Sequence, residues 1–291
     1  MFQPFYVKEV KRENGVVEVH LEDLYSLNVP ELREEVLWDA LRKLYGMGVV
    51  PIRFQILSFD IRNTTLYNVA KFMASNYDRI RPVYKALKSS FNSRPIVAEI
   101  PRDMRGDSIV ESFVKKLIQL ASAGILDGVH YDRDNGTIKV ETMPDSYFLT
   151  GGWLELALAD AITSLCPFRE FVLMKNLKFR FKNVNNEADI LLLSDRGNFL
   201  FETKTTLHMS DLESMCYKLL RIGNILRIPP ERIFLVVPSM EDLLGERKQQ
   251  EDSSNGKMEE CPGIDILTLK SLKSVLTRRF YDILISGDTA G

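Results

Sequence analysis

The order of apolar and polar residues predicts a β-hairpin in the second half of the chain. Two apolar runs, residues 190–193 and 199–201, flank a short turn that contains Gly and Asn. The first run is continuous rather than alternating, so we expect its strand to be buried on both faces. Charged residues stand at the ends of the runs, Asp189 before the first and Glu202 and Lys204 after the second. Because residues two apart share a face of a strand, Glu202 and Lys204 should point the same way, with Asp189 across the hairpin.

The rest of the chain contains apolar residues at helical spacing and short runs typical of strands. The helices should cover about residues 30–45, 64–91, 109–122, 153–165, 211–226 and 272–283, and the further strands about residues 5–10, 16–21, 51–57, 125–131, 136–140, 232–237 and 264–269. Pro82 lies inside the second helix and should kink it near Arg81, because proline removes a helical hydrogen bond and clashes with the preceding turn.

The helix at 109–122 is followed by two short strands about an Asn-Gly turn, an order that resembles the end of a winged helix-turn-helix. As a DNA reader, this unit would use Lys115 and Lys116 of the helix and Arg133 and Lys139 of the wing. The helix is not richly basic, and the wing also carries aspartates. Winged helices serve as dimerisation or spacer modules too, so both interpretations stay open.

Two carboxylates and an ammonium at the end of a buried hairpin are a combination that suits a hard divalent cation. The order Asp189, then Glu202-Thr203-Lys204, resembles the PD-(D/E)xK nuclease motif, with Ala188 in the place of its proline. The alternative is a surface hairpin whose charged ends are solvated.

Four signatures, in order, resemble the nuclease module of the CRISPR-associated CARF-domain nucleases. They are Phe-Leu-x-Gly-Gly-Trp-Leu-Glu ending at Glu155, Asn-Glu-x-Asp ending at Asp189, Glu-x-Lys-Thr beginning at Glu202, and Tyr-Lys-Leu beginning at Tyr217. The resemblance implies an α/β fold: a restriction-endonuclease-like mixed sheet flanked by helices, preceded by a winged helix-turn-helix and a small α+β N-terminal part. It implies a metal-dependent endonuclease that hydrolyses phosphodiester bonds of DNA and/or RNA in antiviral, CRISPR-related defence.

The same resemblance implies the metal site. In this family the Glu after Gly-Gly-Trp-Leu is an active-site carboxylate, so Glu155 joins Asp189, Glu202 and Lys204 as a catalytic residue. The ligands of Mg²⁺ or Mn²⁺ would be Asp189, Glu202, the Thr203 carbonyl and Glu155. The family usually has Cys where Thr203 stands, but only the backbone carbonyl of that residue is needed.

Substrate contacts are expected from three side chains. Lys204 would orient the attacking water or stabilise the transition state at phosphorus. Tyr217 and Lys218 would contact the substrate phosphate. A Tyr packed in the core and a solvated Lys would explain the last two equally well.

Three parts are expected along the chain: a small α+β N-terminal segment (1–65), a helical connector with the winged helix-turn-helix (66–146) and the PD-(D/E)xK nuclease domain (147–291). The family's sensor of cyclic oligoadenylate is a Rossmann-like domain larger than the first segment. That segment has neither enough strand–helix alternation nor a nucleotide-cradling Gly-rich loop, so no cyclic oligoadenylate site is expected within this chain. The resemblance also implies a homodimer that takes nucleic acid as its substrate.

Composition changes this picture little. The net charge of the 291 residues is −2, so any basic surface must be local. The three cysteines are scattered, predict neither a zinc site nor a disulfide framework, and fit a reducing compartment. No signal peptide or membrane-spanning run is present, so we expect a cytoplasmic protein without a membrane contact. The rival interpretation is a non-catalytic winged-helix nucleic-acid-binding or scaffold protein with a nuclease-like fold, and the presence of both Glu202 and Lys204 argues against it.

Overall fold

A computed structural model describes residues 6–13, 16–24, 34–57, 64–244 and 263–286. These residues form both strands and helices. The strands are β1 (Tyr6–Glu13), β2 (Val16–Leu24), β3 (Val50–Leu57), β4 (Ile96–Glu99), β5 (Asp127–Asp132), β6 (Thr137–Thr142), β7 (Phe171–Phe181), β8 (Val184–Ser194), β9 (Phe199–Thr203), β10 (Ile233–Val237) and β11 (Asp265–Thr268). The helices are α1 (Glu34–Gly46), α2 (Thr65–Ser89), α3 (Ser108–Ser122), α4 (Trp153–Leu165), α5 (Met209–Ile225), α6 (Met240–Leu244) and α7 (Leu269–Ser286).

One mixed sheet of eight strands organises the first of two compact units. Its strand order is β1-β2-β3-β7-β8-β9-β10-β11. The pairs from β1 to β9 are antiparallel, and β9, β10 and β11 run parallel to one another. This unit comprises residues 1–61 and 158–291, and the second unit comprises residues 62–157.

Both faces of the sheet are covered by helices, as the continuous apolar run at 190–193 predicts. Leu191, Leu200 and Leu235 pack with residues of α1 and α5 on one face. Their strand neighbours, such as Ile190 and Phe201, pack with α4 and α7 on the other. The expected mixed α/β architecture, a mixed sheet flanked by helices, is confirmed.

The expected boundary at residue 65 implies a separate α+β part at the N-terminus. The N-terminal strands instead belong to the large sheet. Strands β1 and β2 pair antiparallel, with Glu13 opposite Val16, and residues 14 and 15 lie outside the described ranges. Strand β3 then pairs with β7, which places the three N-terminal strands in the large sheet. Pairing between strands so distant along the chain leaves no local signal, which is why the sequence pattern suggests a separate segment.

The second unit has its own three-stranded sheet, in the order β4-β6-β5, together with α2 and α3. Trp153 is fully buried in it, stacks on Tyr77 with ring centroids 5.5 Å apart, and donates its indole N–H to the Tyr84 hydroxyl at 3.1 Å. Helix α3 begins after Asp107, whose carboxylate accepts from the backbone N–H groups of Ile109 and Val110. Helix α3 and strands β5 and β6 match the predicted helix and hairpin in order and position.

The irregularity in α2 lies further upstream than expected. Non-helical dihedral angles occur at Asn76, whereas the kink was expected near Arg81. A proline disturbs the turn before it, because its ring meets the carbonyl four residues earlier. The Asn76 side chain donates to the Phe72 carbonyl at 2.9 Å and so bonds a carbonyl oxygen at the break. The distortion of the helix therefore lies at Asn76 and not at the residue before Pro82.

The lengths of the helices and the state of Cys166 bear on the expectations from composition. No helix in the described ranges is long and apolar enough to cross a membrane. Cys166 is a free thiol whose pKa is raised to about 11 by burial, so it is protonated at neutral pH.

Candidate active site

The charged residues of the predicted motif meet where β8 and β9 lie side by side. Asp189 is on β8, one residue before Ile190, which pairs with Phe201 of β9. Glu202 and Thr203 end β9, and Lys204 follows directly. The structure therefore brings Asp189, Glu202 and Lys204 together, although β8 begins at Val184, so that Asp189 lies within its strand instead of opening it.

Glu202 is the buried centre of this group, with 1% of its surface exposed. Its Oε1 accepts hydrogen bonds from Lys204 Nζ and from Lys218 Nζ, each at 2.8 Å. Its Oε2 is buried and has no hydrogen-bond partner among the described residues. A buried carboxylate oxygen without a partner is costly, which makes Glu202 Oε2 a candidate ligand for a cation.

Asp189 is tied to the end of β9 by three contacts. Its Oδ2 accepts from the Thr203 backbone N–H at 2.9 Å and from the Thr203 hydroxyl at 3.2 Å. Lys204 Nζ lies 3.8 Å from the same oxygen. Lys204 thus approaches both carboxylates, and its side chain keeps 30% exposure towards solvent.

An irregularity in β7 lies opposite Asp189. The register of β7 and β8 is regular except that Asn176 and Asp189 are not paired, and Asn176 has a φ of +52°. Ala188 and Leu191 both pack against the α1 and α5 side of the sheet, which strict alternation would not allow for residues three apart. The strand faces therefore switch at Asp189. A non-glycine residue with positive φ within a strand carries no clear sequence signal, so Asn176 was missed.

Helix α5 completes the site from the face above Glu202. Lys218 contacts the buried carboxylate and leaves 37% of its side chain exposed. Its neighbour Tyr217 is 60% exposed and so is not packed in the core. One turn further along, Arg221 Nη2 donates to the Asn186 Oδ1 of β8 at 3.4 Å. The pattern singled out Lys218, but only the structure shows its partner to be Glu202.

The remaining predicted site residues belong to the second unit. Glu155 is 6% exposed in the first turn of α4 and accepts a hydrogen bond from the Tyr147 hydroxyl. On α3, Lys115 is exposed and Lys116 Nζ donates to Gln119 Oε1 at 3.1 Å. In the hairpin, Arg133 pairs with Glu111 at 2.7 Å and Lys139 with Glu141 at 2.7 Å. The last two cations therefore already have carboxylate partners.

The donors at the β8–β9 site fit a magnesium-like ion better than a transition metal. No group of three or more His, Cys, Asp and Glu side chains placed to hold a metal occurs in the part of the chain that the structure describes. Asp189 and Glu202 are the two carboxylates that meet there. Mg²⁺ is commonly held by one or two carboxylates and keeps several waters, so two carboxylates with one unpartnered oxygen suit it.

Comparison with known proteins shows a likeness of fold only. No protein-family model and no curated protein sequence matches the chain. Among solved structures, protein VC1899 from Vibrio cholerae is 18% identical, with a TM-score of 0.51 over 85% of this chain and 62% of VC1899. Can2 from Sulfobacillus thermosulfidooxidans, solved in complex with cyclic tetra-adenylate, is 15% identical, with a TM-score of 0.49 over 92% of this chain and 67% of Can2. The chain thus spans less than two thirds of the length of VC1899, and the likeness to VC1899 shows that the two share a fold.

Proposed function

We propose that this protein is a metal-dependent endonuclease that hydrolyses phosphodiester bonds of DNA and/or RNA. The observation that carries this function is the buried Glu202 carboxylate, whose Oε2 has no partner while Asp189 and Lys204 stand beside it. A purely structural ion pair would gain nothing from a bare buried oxygen, whereas a cation site uses such an oxygen as a ligand.

Asp189, Glu202 and the Thr203 carbonyl would hold Mg²⁺ or Mn²⁺, and Glu155 remains a further proposed ligand. A bound ion of this kind would supply charge neutralisation at the phosphate and a more acidic water. Thr203 fixes the Asp189 carboxylate through two hydrogen bonds, which limits its rotation before any ion arrives. A ligand held in this way loses less conformational entropy on binding.

Lys204 and Lys218 would act on the phosphate. Both ammonium groups donate to Glu202 Oε1, at 2.8 Å each. Each is also partly exposed, so each can reach an incoming phosphate oxygen. Lys204, which approaches both carboxylates, is the better placed to stabilise the charge that develops at phosphorus.

The finer assignments rest on the sequence signatures. The restriction-endonuclease-like type of the fold, the winged helix-turn-helix within residues 62–157, the homodimer and the role in CRISPR-related defence all come from that resemblance. Tyr217, which is exposed beside Lys218, stays a proposed substrate contact. The nucleic-acid contacts proposed in the second unit are Lys115, Lys116, Arg133 and Lys139.

A second candidate is a non-catalytic nucleic-acid-binding or scaffold protein. One observation favours it: Glu202 is already paired with two lysines, so the four charges of Asp189, Glu202, Lys204 and Lys218 sum to zero without a metal. In that case the site would be an ionic cluster that fastens α5 to the sheet.

Cleavage and metal binding measured together separate the two functions. We expect plasmid, single-stranded DNA or RNA to be cut in Mg²⁺ or Mn²⁺ and not in EDTA. Lys204→Ala should lower the rate by about 10²–10³-fold, the usual loss of a group that stabilises transition-state charge. Its matched control is Lys178→Ala, which removes a lysine paired with Glu187 at 3.9 Å on the same sheet, and it should cut normally. Intact substrates in Mn²⁺, with no metal bound by calorimetry, would support the scaffold.

A further inference from the structure

A polar groove runs between the first half of α2 and the last half of α3 in the second unit. Its volume is about 580 Å³, within the size range of small-molecule sites. Six of its lining residues decide its chemistry: Asn68, Lys71, Phe72, Asn76, Lys116 and Gln119. The other lining residues carry hydroxyl groups.

The charges of the groove have a single sign. Lys71 and Lys116 approach it from different helices, and no carboxylate is among the described residues that line it. Lys116 Nζ lies 3.1 Å from Gln119 Oε1 and Lys71 Nζ lies 5.9 Å from the centre of the Tyr67 ring, so neither is held by an acidic group in these contacts. Two ammonium groups without a carboxylate between them attract an anion.

The remaining lining groups suit a base and a sugar. Asn68 offers an amide group that can both donate and accept, as base edges require. Asn76 already donates to the Phe72 carbonyl and Gln119 already accepts from Lys116, so these two side chains are held in place at the wall of the groove. Phe72 is partly exposed and presents an apolar face on which a base can stack. The break in α2 at Asn76 shapes this wall, because the Asn76 side chain is turned back to the Phe72 carbonyl.

We propose that this groove binds a nucleotide, with its phosphate between Lys71 and Lys116 and its base beside Phe72. The nucleotide is either free or one unit of a single strand, because both present the same phosphate and base. This binding needs no metal and no hydrolysis, so it is separate from the nuclease activity. Lys71 is also absent from the nucleic-acid surface predicted from the sequence, which consists of Lys115, Lys116, Arg133 and Lys139.

Binding to the full chain in EDTA tests the groove without cleavage. The probes are a 5′-phosphorylated DNA trinucleotide, adenosine monophosphate and inorganic phosphate, each titrated by calorimetry. Lys71→Ala and Lys116→Ala should each weaken trinucleotide binding about fivefold, as expected for an exposed charge contact. Each should also reduce the salt dependence of log Kd by about 0.7. Lys88→Ala is the matched control, since Lys88 is in the last turn of the same helix and outside the groove, and it should bind normally.

The probes distinguish the source of the ligand. If adenosine monophosphate binds with the same affinity as the trinucleotide, the ligand is a free nucleotide. If adenosine monophosphate binds much more weakly, the ligand is a strand. Phe72→Leu should weaken both, with no effect on phosphate, if a base stacks there.

Three results would overturn the assignment. They are no binding of any probe, equal affinity for an acidic peptide of matched charge, and unchanged affinity in Lys71→Ala while Lys115→Ala and Arg133→Ala lose binding. The last result would place the contact on the surface predicted from the sequence.

Discussion

At the scale of single residues, the proposed chemistry depends on one carboxylate, Glu202, whose burial is energetically costly. Glu202 is 1% exposed, and burying a charge costs several kcal/mol unless partners compensate it. Lys204 and Lys218 compensate one oxygen and leave the other without a partner. The charges of Asp189, Glu202, Lys204 and Lys218 therefore sum to zero, and the proposed cation site rests on the oxygen that has no partner.

Glu202→Gln tests whether the carboxylate is needed for its charge or for its shape. The amide keeps the volume but loses the negative charge, so we expect metal binding to disappear and cleavage to fall by more than about 10²-fold. The free energy of unfolding should fall by only about 1–2 kcal/mol, because both lysines are partly exposed and regain water. Calorimetry with Mn²⁺ and urea unfolding measure the two effects.

Glu187→Gln is the matched control for this change. Glu187 lies on β8 like Asp189, pairs with Lys178 at 3.9 Å and is 48% exposed. Its replacement should change stability by no more than about 0.5 kcal/mol and leave metal binding intact. Equal effects of the two substitutions would show that Glu202 has no special role.

The sequence identifies the charged residues of the site but not their partners. Glu202, Lys204 and Asp189 follow from the hairpin pattern, because strand alternation and a short turn decide their positions. The contact between Lys218 and Glu202 depends on how α5 lies across the sheet. No local pattern determines that angle.

At the scale of elements, the distortion opposite Asp189 gives a test of how the carboxylate is oriented. Asn176 has a φ of +52°, which Asn and Gly tolerate and β-branched residues do not. Asn176→Val should cost about 1–2 kcal/mol and weaken metal binding, because a regular strand would turn Asp189 away. Asn176→Gly keeps the backbone conformation and loses the hydrogen bond to Gln55, so metal binding should persist. Unchanged metal affinity in both variants would mean that this irregularity does not position Asp189.

The start of α3 provides a prediction about pH. The pKa of Asp107 is lowered chiefly by the hydrogen bond from Ile109 N–H, and further by the Arg79 side chain. A lowered folded-state pKa gives stability that is present above the unfolded value and is lost as pH falls through the folded one. Asp107→Asn keeps an oxygen that caps the helix but cannot titrate. We therefore expect the difference in stability between wild type and Asp107→Asn to be present at pH 7 and to shrink towards pH 3, as measured by urea unfolding.

The elements themselves were largely predictable, and their irregularities were not. Helix α4 has the bounds that its apolar stripe predicts, and α3 begins within a residue of the prediction. The kink of α2 is expected near Arg81 and lies at Asn76. The sequence shows which residue disturbs a helix, but it does not show in which turn the backbone departs from helical dihedral angles.

At the scale of the whole molecule, the long-range pairing of β3 with β7 could not be predicted from the sequence. The N-terminal residues looked like a separate part because their hairpin and helix are complete as local patterns. In the structure they supply three of the eight strands of the large sheet. Helix α1 also contributes Leu37, Leu41 and Leu44 to the core that covers Leu191 and Leu200.

Removal of residues 1–61 is the change that tests this architecture. The truncated chain would lose β1, β2, β3 and α1, and β7 would become an edge strand with unpaired backbone groups. The apolar side chains that face α1 and β3 would be exposed as well, including Phe179 and Met174, which are fully buried in the intact protein. We therefore expect the truncated protein to aggregate or to lose cooperative thermal unfolding by circular dichroism, whether or not metal is present. A soluble and cooperatively folding fragment of residues 62–291 would instead mean that the N-terminal strands are an addition to a core that is complete without them.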